Sequence, residues 1–363
     1  MLAGVTPLTL PQDPVLSRCA RWEGVGRPFS VVAVRTPRTP GPGEVLVRVD
    51  LATVCGSDLH TVGGRRPSPV PALLGHEQVG TVVGVGDGGP RCVDGAPVVT
   101  GMRVVWSVTA SCRSCDRCRD GMPQKCRGLR KYGHEPWDER APLTGGFATH
   151  CVLLPGTDVV AVPDDVPDVV ASPASCATAT VAAALRAAGP LAGRQVLVAG
   201  AGMLGVTAVA MAREAGAHVI AVDPEPARRE QALRFGASEV RDTGAEPRDI
   251  DVALELSGRP EGVGACLDSL AVGGTAVLAG SVSPGDPVPL DAERVVRGLH
   301  TVVGVHNYRA EDLRKAVDFL SAHHRDYPFA ELVGGSYSLD ALDEAVAAAR
   351  LAVEPRQAIV PSL

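Results

Sequence analysis

Four cysteines crowd into residues 112–126 as C-x2-C-x2-C-x7-C: Cys112, Cys115, Cys118 and Cys126. Thiolates at such short spacing can close a tetrahedron around Zn²⁺ and leave no position open. A closed site of this kind is structural, stapling a loop that has little core of its own. An iron–sulfur cluster draws on the same ligand type, but this spacing is not that of the common ferredoxin runs.

Three further metal-type groups lie far apart in the chain: Cys55-Gly56-Ser57-Asp58-Leu59-His60, Gly75-His76-Glu77, and Cys176. Cys55, His76 and Cys176 together would supply three ligands and leave the fourth tetrahedral position open, as a catalytic zinc requires. An alcohol is a poor hydride donor until it loses its proton, and a metal that lowers the pKa of a bound oxygen assists that loss. The proton must then leave, and Ser57 and His60 could pass it outward. Asp58 could hold the imidazole of His76 from behind. Each residue has a plainer reading beside this one. A serine or histidine near a turn is usually structural, and Cys176 alone could pack as a small apolar side chain.

A second constellation points to a nucleotide. Gly200-Ala201-Gly202-Met203-Leu204-Gly205 fits G-x-G-x-x-G, directly after the strand-like QVLVA and at the start of a helical segment. Glycines there allow a tight turn and let backbone amides approach a pyrophosphate at a helix N-terminus. The next apolar strand ends at Asp223, 18 residues after Gly205. A carboxylate in that place binds the ribose hydroxyls and repels a 2′-phosphate, which favours NAD over NADP. Arg228 and Arg229 follow closely, and they leave room for NADP tolerance.

These residues need elements to hold them. From about 29 to 160 the chain reads as short strands broken by Gly and Pro, for example 44–49, 78–85 and 96–106, which suggests an irregular, mainly β domain. Near residue 172 the character changes. An Ala-rich segment over 174–188 reads as helix, followed by strands at 196–199, 218–222, 252–256, 276–279 and 301–305. Helices at 203–215 and 226–235 alternate with them. Continuous apolar strands separated by helices indicate a parallel sheet covered on both faces. Two amphipathic helices, 310–323 and 340–350, precede a last strand at 357–360. The expectation is an α/β chain in three parts: a catalytic domain over 1–173, a nucleotide-binding domain over 174–306, and a return to the first domain over 307–363.

Composition bounds the rest. With 363 residues, two domains are the natural division. Aromatics make up 3%, so Val, Ala and Leu must build the core. A net charge of −6 offers no basic face for nucleic acid. No apolar run reaches membrane-spanning length, and the N-terminus lacks the pattern of a secretory signal, so a cytoplasmic protein is expected. Thiols stay reduced there, which again directs the crowded cysteines toward metal.

In combination and order, PGEVLV (42–47), CGSDLH (55–60), GHE (75–77), the cysteine lobe, GAGMLG (200–205) and Asp223 resemble the zinc-dependent medium-chain dehydrogenase/reductase family. That family includes alcohol, sorbitol and threonine dehydrogenases. The resemblance implies a GroES-like catalytic domain joined to a Rossmann domain, one catalytic and one structural Zn²⁺, and NAD. It implies Cys55, His76 and Cys176 as catalytic zinc ligands, with Ser57 and His60 as the proton relay. Glu77 would be the neighbouring acid that can approach the metal during ligand exchange. Thr180 would contact the nicotinamide, and Arg356 would reach the pyrophosphate. Gly56 departs from the classical type, which carries a basic residue there. The segment VVGVHNY (302–308) resembles a subgroup of zinc dehydrogenases linked to phosphonate use.

The substrate pocket is expected between the domains. Arg65, Arg66, Arg130, Lys131 and His134 could meet an anionic or polar group on an alcohol substrate. Alternatively they are solvated loop charges, or pair with Asp138 and Glu139. The apolar strand near 301–305 would form the edge of the parallel sheet, which a homodimer, or a tetramer, would cover. Two rivals remain open: a zinc-independent quinone or enoyl reductase of the same fold, and a non-catalytic NAD-binding sensor.

Overall fold

Two sheets of different character divide the chain in a computed structural model, which describes residues 14–245, 247–351 and 354–362. In Gln195–Ala199 (QVLVA) every residue after the first is buried, a pattern that only a strand covered on both faces can satisfy. It is the centre of a six-stranded parallel sheet. The order is Glu239–Arg241, His218–Val222, Gln195–Ala199, Ile250–Glu255, Leu270–Leu278 and Thr301–Gly304. This is the doubly wound arrangement, whose order reverses between Gln195–Ala199 and Ile250–Glu255 and opens a crevice there.

The first half of the chain forms a curled, mostly antiparallel sheet around Val45–Thr53, Gln78–Val85 and Arg103–Ala110. Trp22, Val47, Trp106, Phe147 and Leu153 fill its interior. The strand Val15–Trp22, which the sequence reading did not identify, pairs with Ser30–Thr36 and Ala72–Leu73 beside it.

The Ala-rich helix starts later than expected. Ser172–Ser175 is a 3₁₀ turn, and the α-helix runs over Ala177–Ala188. Pro173 suits the start of the 3₁₀ turn. Cys176 takes φ −132°, ψ −71° between the two, outside either helix. The small side chains of Ala177–Ala188 pack against both Met203–Glu214 and Ala310–His323.

The C-terminal segment divides. Helix Ala310–His323 stays with the parallel-sheet half, where Asp312 accepts two 2.8 Å hydrogen bonds from Arg186. Arg356–Ile359 instead enters the first sheet, antiparallel to Val45–Thr53, with Val333–Tyr337 at its other side. No single helix among the described residues is long and apolar enough to cross a membrane.

Candidate metal centre and cofactor cleft

Strand register brings the metal-type residues together. Cys55 follows Val45–Thr53 and precedes the short helix Gly56–Val62. His76 and Glu77 lead into Gln78–Val85, where the Thr53 amide donates to the Glu77 carbonyl at 2.9 Å. The 3₁₀ turn is stitched to the same place. The Ser175 hydroxyl donates to the His76 carbonyl at 3.3 Å, and the Ser172 hydroxyl to the Glu77 carbonyl at 3.1 Å. As a result, one ligand atom each from Cys55, His76 and Cys176 lies within 4.8 Å of the others.

One carboxylate orients two of them. Asp58 Oδ2 accepts from the Cys55 amide at 2.9 Å, and Oδ1 stands 3.4 Å from His76 Nδ1, an ion-pair distance. With Nδ1 facing Asp58, Nε2 is the nitrogen left for a metal, and Ser57 Oγ is 3.0 Å from it. Burial opposes charge on His76, but Asp58 and Cys55 outweigh it and lift the imidazolium to about 10. A proton shared from Cys176 holds the Cys55 thiol well below its ordinary range, with Arg356 and His76 adding to that, and Cys176 is raised correspondingly. Once their protons are released to a metal, two thiolates and an imidazole in such a space form a donor set suited to one divalent cation.

Arg356 has a partner that the sequence did not indicate: it donates from Nε to Glu77 Oε2 at 2.6 Å and from Nη2 to Glu77 Oε1 at 2.9 Å. Nη2 also approaches Cys55 Sγ at 3.5 Å. Burial drives the Glu77 carboxyl up to about 7 despite the guanidinium beside it. His60 lies on the same short helix as Ser57, half-buried, with no hydrogen bond to it among the described residues. A proton path between the two therefore needs a bridging hydroxyl or water.

The four-cysteine lobe is equally compact. All four sulfurs lie within 4.8 Å of one another, with separations such as 3.4 Å (Cys112–Cys126), 3.9 Å (Cys115–Cys126) and 4.0 Å (Cys112–Cys118). Tetrahedral zinc with bonds of about 2.3 Å places sulfurs roughly 3.8 Å apart, within that range. Backbone amides donate to the sulfurs, as from Cys115 to Cys112 at 3.3 Å. Such donation, first from Ser114, draws the Cys112 thiol down to about 6.

The nucleotide fingerprint sits at the crevice. A side chain on Gly200, whose φ is +96°, would come within 2.7 Å of Ser257 Cα, and one on Gly205 would strike the Gly200 carbonyl oxygen. Beside Gly202 there is open space. Met203 and Leu204 begin the helix that follows. Asp223 is buried, with Oδ2 accepting from the Ala201 amide at 2.8 Å, and Arg228 Nη1 stands 3.9 Å from it. Thr180 lies one turn beyond Cys176 on the same helix face, followed by Ala183 and Ala187. Ala183 and Ala187 line a cleft of about 720 Å³, which reaches the lobe at Gln124 and Lys125 and the far side of the parallel sheet at Leu278 and His306.

Two contacts near the site were not legible in the sequence. Arg130 pairs with Glu135 at 2.7 Å, rather than with Asp138 or Glu139. Tyr308 donates its hydroxyl to the Ser175 carbonyl and accepts from the Val108 amide at 3.0 Å, tying the turn before Cys176 to the first sheet. Its only sequence signal was its place in VVGVHNY.

Comparison with known proteins agrees with this architecture. The family model for the alcohol dehydrogenase GroES-like domain matches residues 41–164, and that for zinc-binding dehydrogenases matches residues 204–322. Geraniol dehydrogenase of Castellaniella defragrans is 31% identical, over 97% of this chain and 98% of its own. An alcohol dehydrogenase from Thermotoga maritima superposes with a TM-score of 0.88 at 27% identity, covering 95% of this chain and 99% of that one. A zinc-binding dehydrogenase from Sinorhizobium meliloti, solved with NADP, reaches 0.84 at 26% identity, covering 96% and 100%. With a GroES-like half, a Rossmann half and two sets of metal-type ligands, the chain belongs to the zinc-type medium-chain dehydrogenase/reductase family.

Proposed function

We propose that this oxidoreductase is a zinc-dependent alcohol dehydrogenase that uses NAD to convert an alcohol to an aldehyde or ketone. The observation that carries the reading is the meeting of Cys55, His76 and Cys176, three ligands from distant parts of the chain, within 4.8 Å of one another. When bound, Zn²⁺ would activate the alcohol oxygen and NAD would accept the hydride.

The chain's own groups supply the setting. Cys55, His76 and Cys176 would hold the catalytic zinc, and Asp58 aims two of these ligands. Cys176 is the least enclosed of the three. Ser57 Oγ, beside His76 Nε2, is placed to take the hydroxyl proton, and His60 to carry it outward once a hydroxyl bridges them. Glu77 and Arg356 keep a compensated charge pair behind the metal. Asp223 beside the fingerprint favours NAD; Arg228, half-exposed next to it, is the group that would meet a 2′-phosphate. Cys112, Cys115, Cys118 and Cys126 would hold the second, structural zinc.

A homodimer would cover the edge strand Thr301–Gly304, near which Val296, Leu299 and Val302 are 71%, 71% and 39% exposed. Metal analysis of the purified protein, with NAD and NADP reduction measured across alcohols, tests the whole reading. Two zincs per chain and turnover with NAD are expected. A protein with a single zinc that reduces neither cofactor with any alcohol would falsify it.

A further inference from the structure

The cleft carries donor groups that are only partly satisfied among the described residues. Lys125 Nζ lies 2.6 Å from His306 Nδ1. An ammonium has only donors, so Nδ1 must be the acceptor, and the neutral imidazole then carries its proton on Nε2. The pair therefore presents further N–H groups and no acceptor. Desolvation in the cleft, with Lys125, Lys131 and Arg66 nearby, holds the His306 imidazolium down to about 4, in keeping with the neutral ring.

Asn307 follows at φ +55°, a left-handed conformation that costs a non-glycine residue energy and tends to persist at functional sites. Its Nδ2 is buried without a hydrogen-bond partner among the described residues. Lys125, His306 and Asn307 line the same cleft. Other cations on this wall are neutralised: Arg186 by Asp312 and Arg309 by Glu311. Lys125, Lys131 and Arg66 have no ion-pair partner among the described residues. Lys131 stands opposite Thr109 on the first sheet, within electrostatic reach of Arg66, Lys125 and the thiols of Cys55 and Cys176. Tyr308, two residues beyond His306, donates to the carbonyl of Ser175, the neighbour of Cys176, and so ties this wall of the cleft to the metal-type site.

Resting on the dehydrogenase reading above, we infer that the substrate alcohol carries an oxyanion, a carboxylate or phosphonate, a short chain from its hydroxyl. Lys131, Arg66, Lys125, His306 and Asn307 would receive that group. The cofactor's own phosphates are a poor alternative occupant. They belong at the reversal between Gln195–Ala199 and Ile250–Glu255, whereas His306 follows Thr301–Gly304, two strands further along the sheet.

The test compares kcat/KM of the zinc-loaded enzyme for 3-hydroxypropanoate and 2-hydroxyethylphosphonate with that for 3-hydroxypropanamide, a neutral counterpart. Charge-assisted hydrogen bonds predict a preference of about tenfold or more for at least one charged alcohol. The two charged arms tell which oxyanion geometry the site takes. Lys131→Met and His306→Ala should each lower the charged-to-neutral ratio severalfold, with little change in KM for NAD. Arg130→Ala, whose side chain is held by Glu135, should leave the ratio alone. A ratio near one, or a preference that neither variant moves, overturns the inference. Should no alcohol reduce NAD, the dehydrogenase reading fails separately. Calorimetric titration with 2-hydroxyethylphosphonate and 3-hydroxypropanoate then decides the anion site: binding weakened by Lys131→Met supports it, and no binding of either to the unmodified protein overturns it.

Discussion

Arg356 and Glu77 form a fork buried on both sides, 2.6 and 2.9 Å across its two bonds, with Cys55 Sγ 3.5 Å from the same guanidinium. The C-terminal strand is thereby fastened to the metal centre by charge as well as by its backbone ladder. Arg356 is 5% exposed and Glu77 fully enclosed, so neither can turn to water when the other is lost.

Removing one partner should therefore cost far more than removing both. Arg356→Met or Glu77→Met alone is expected to lower unfolding free energy by about 3–5 kcal/mol, because each strands a buried charge. The double substitution should fall well short of the sum of the singles. A double-mutant cycle in urea checks this, and strict additivity would refute the coupling.

Asp58 tests orientation without changing the ligands. Asp58→Asn keeps the shape but weakens both the Cys55 amide bond and the hold on His76. Affinity for the catalytic metal should drop about 10–100-fold, as for other carboxylates behind a ligating histidine. Competition with a coloured zinc chelator would measure this, while the lobe's metal remains in place.

The lobe has little apolar packing around it; Cys126 is its one buried ligand. Cys118→Ser should release one metal per chain and open residues 112–126 to proteolysis, leaving NAD binding intact. Metal analysis and limited digestion report on it. An undigested loop holding full metal would show that the four thiols are not acting as one site.

Cofactor choice should turn on a single charge. Asp223→Asn retains an acceptor for the Ala201 amide but no longer repels a 2′-phosphate, and Arg228 is close enough to greet one. The NADP-to-NAD ratio of kcat/KM is expected to rise about tenfold or more, roughly 1.4 kcal/mol. Steady-state kinetics with both cofactors decide it.

Much of this was readable before any coordinates. The parallel-sheet strands announce themselves because a run such as QVLVA can be buried only between two layers of helix. Their ends were less legible: Leu270–Leu278 starts well before the expected residue 276, since its Gly-rich start breaks the apolar run. The strand Val15–Trp22 carries Ser17, Arg18 and Arg21 among its apolar residues, and so hid its pairing. At the site, the lobe and the fingerprint were legible for the same reason as the strands: their parts are neighbours in the chain.

The sequence by itself determined which chemistry was available, namely four clustered thiols, three scattered ligands and a glycine turn followed by an acid. Only the tertiary structure decided that Arg356 turns to Glu77, 279 residues away, and that Lys125 meets His306 across 181. Local spacing constrains what nearby side chains can reach. Contacts between distant segments depend on strand register and on how the lobe packs against the sheet, and neither is written in any short stretch of residues.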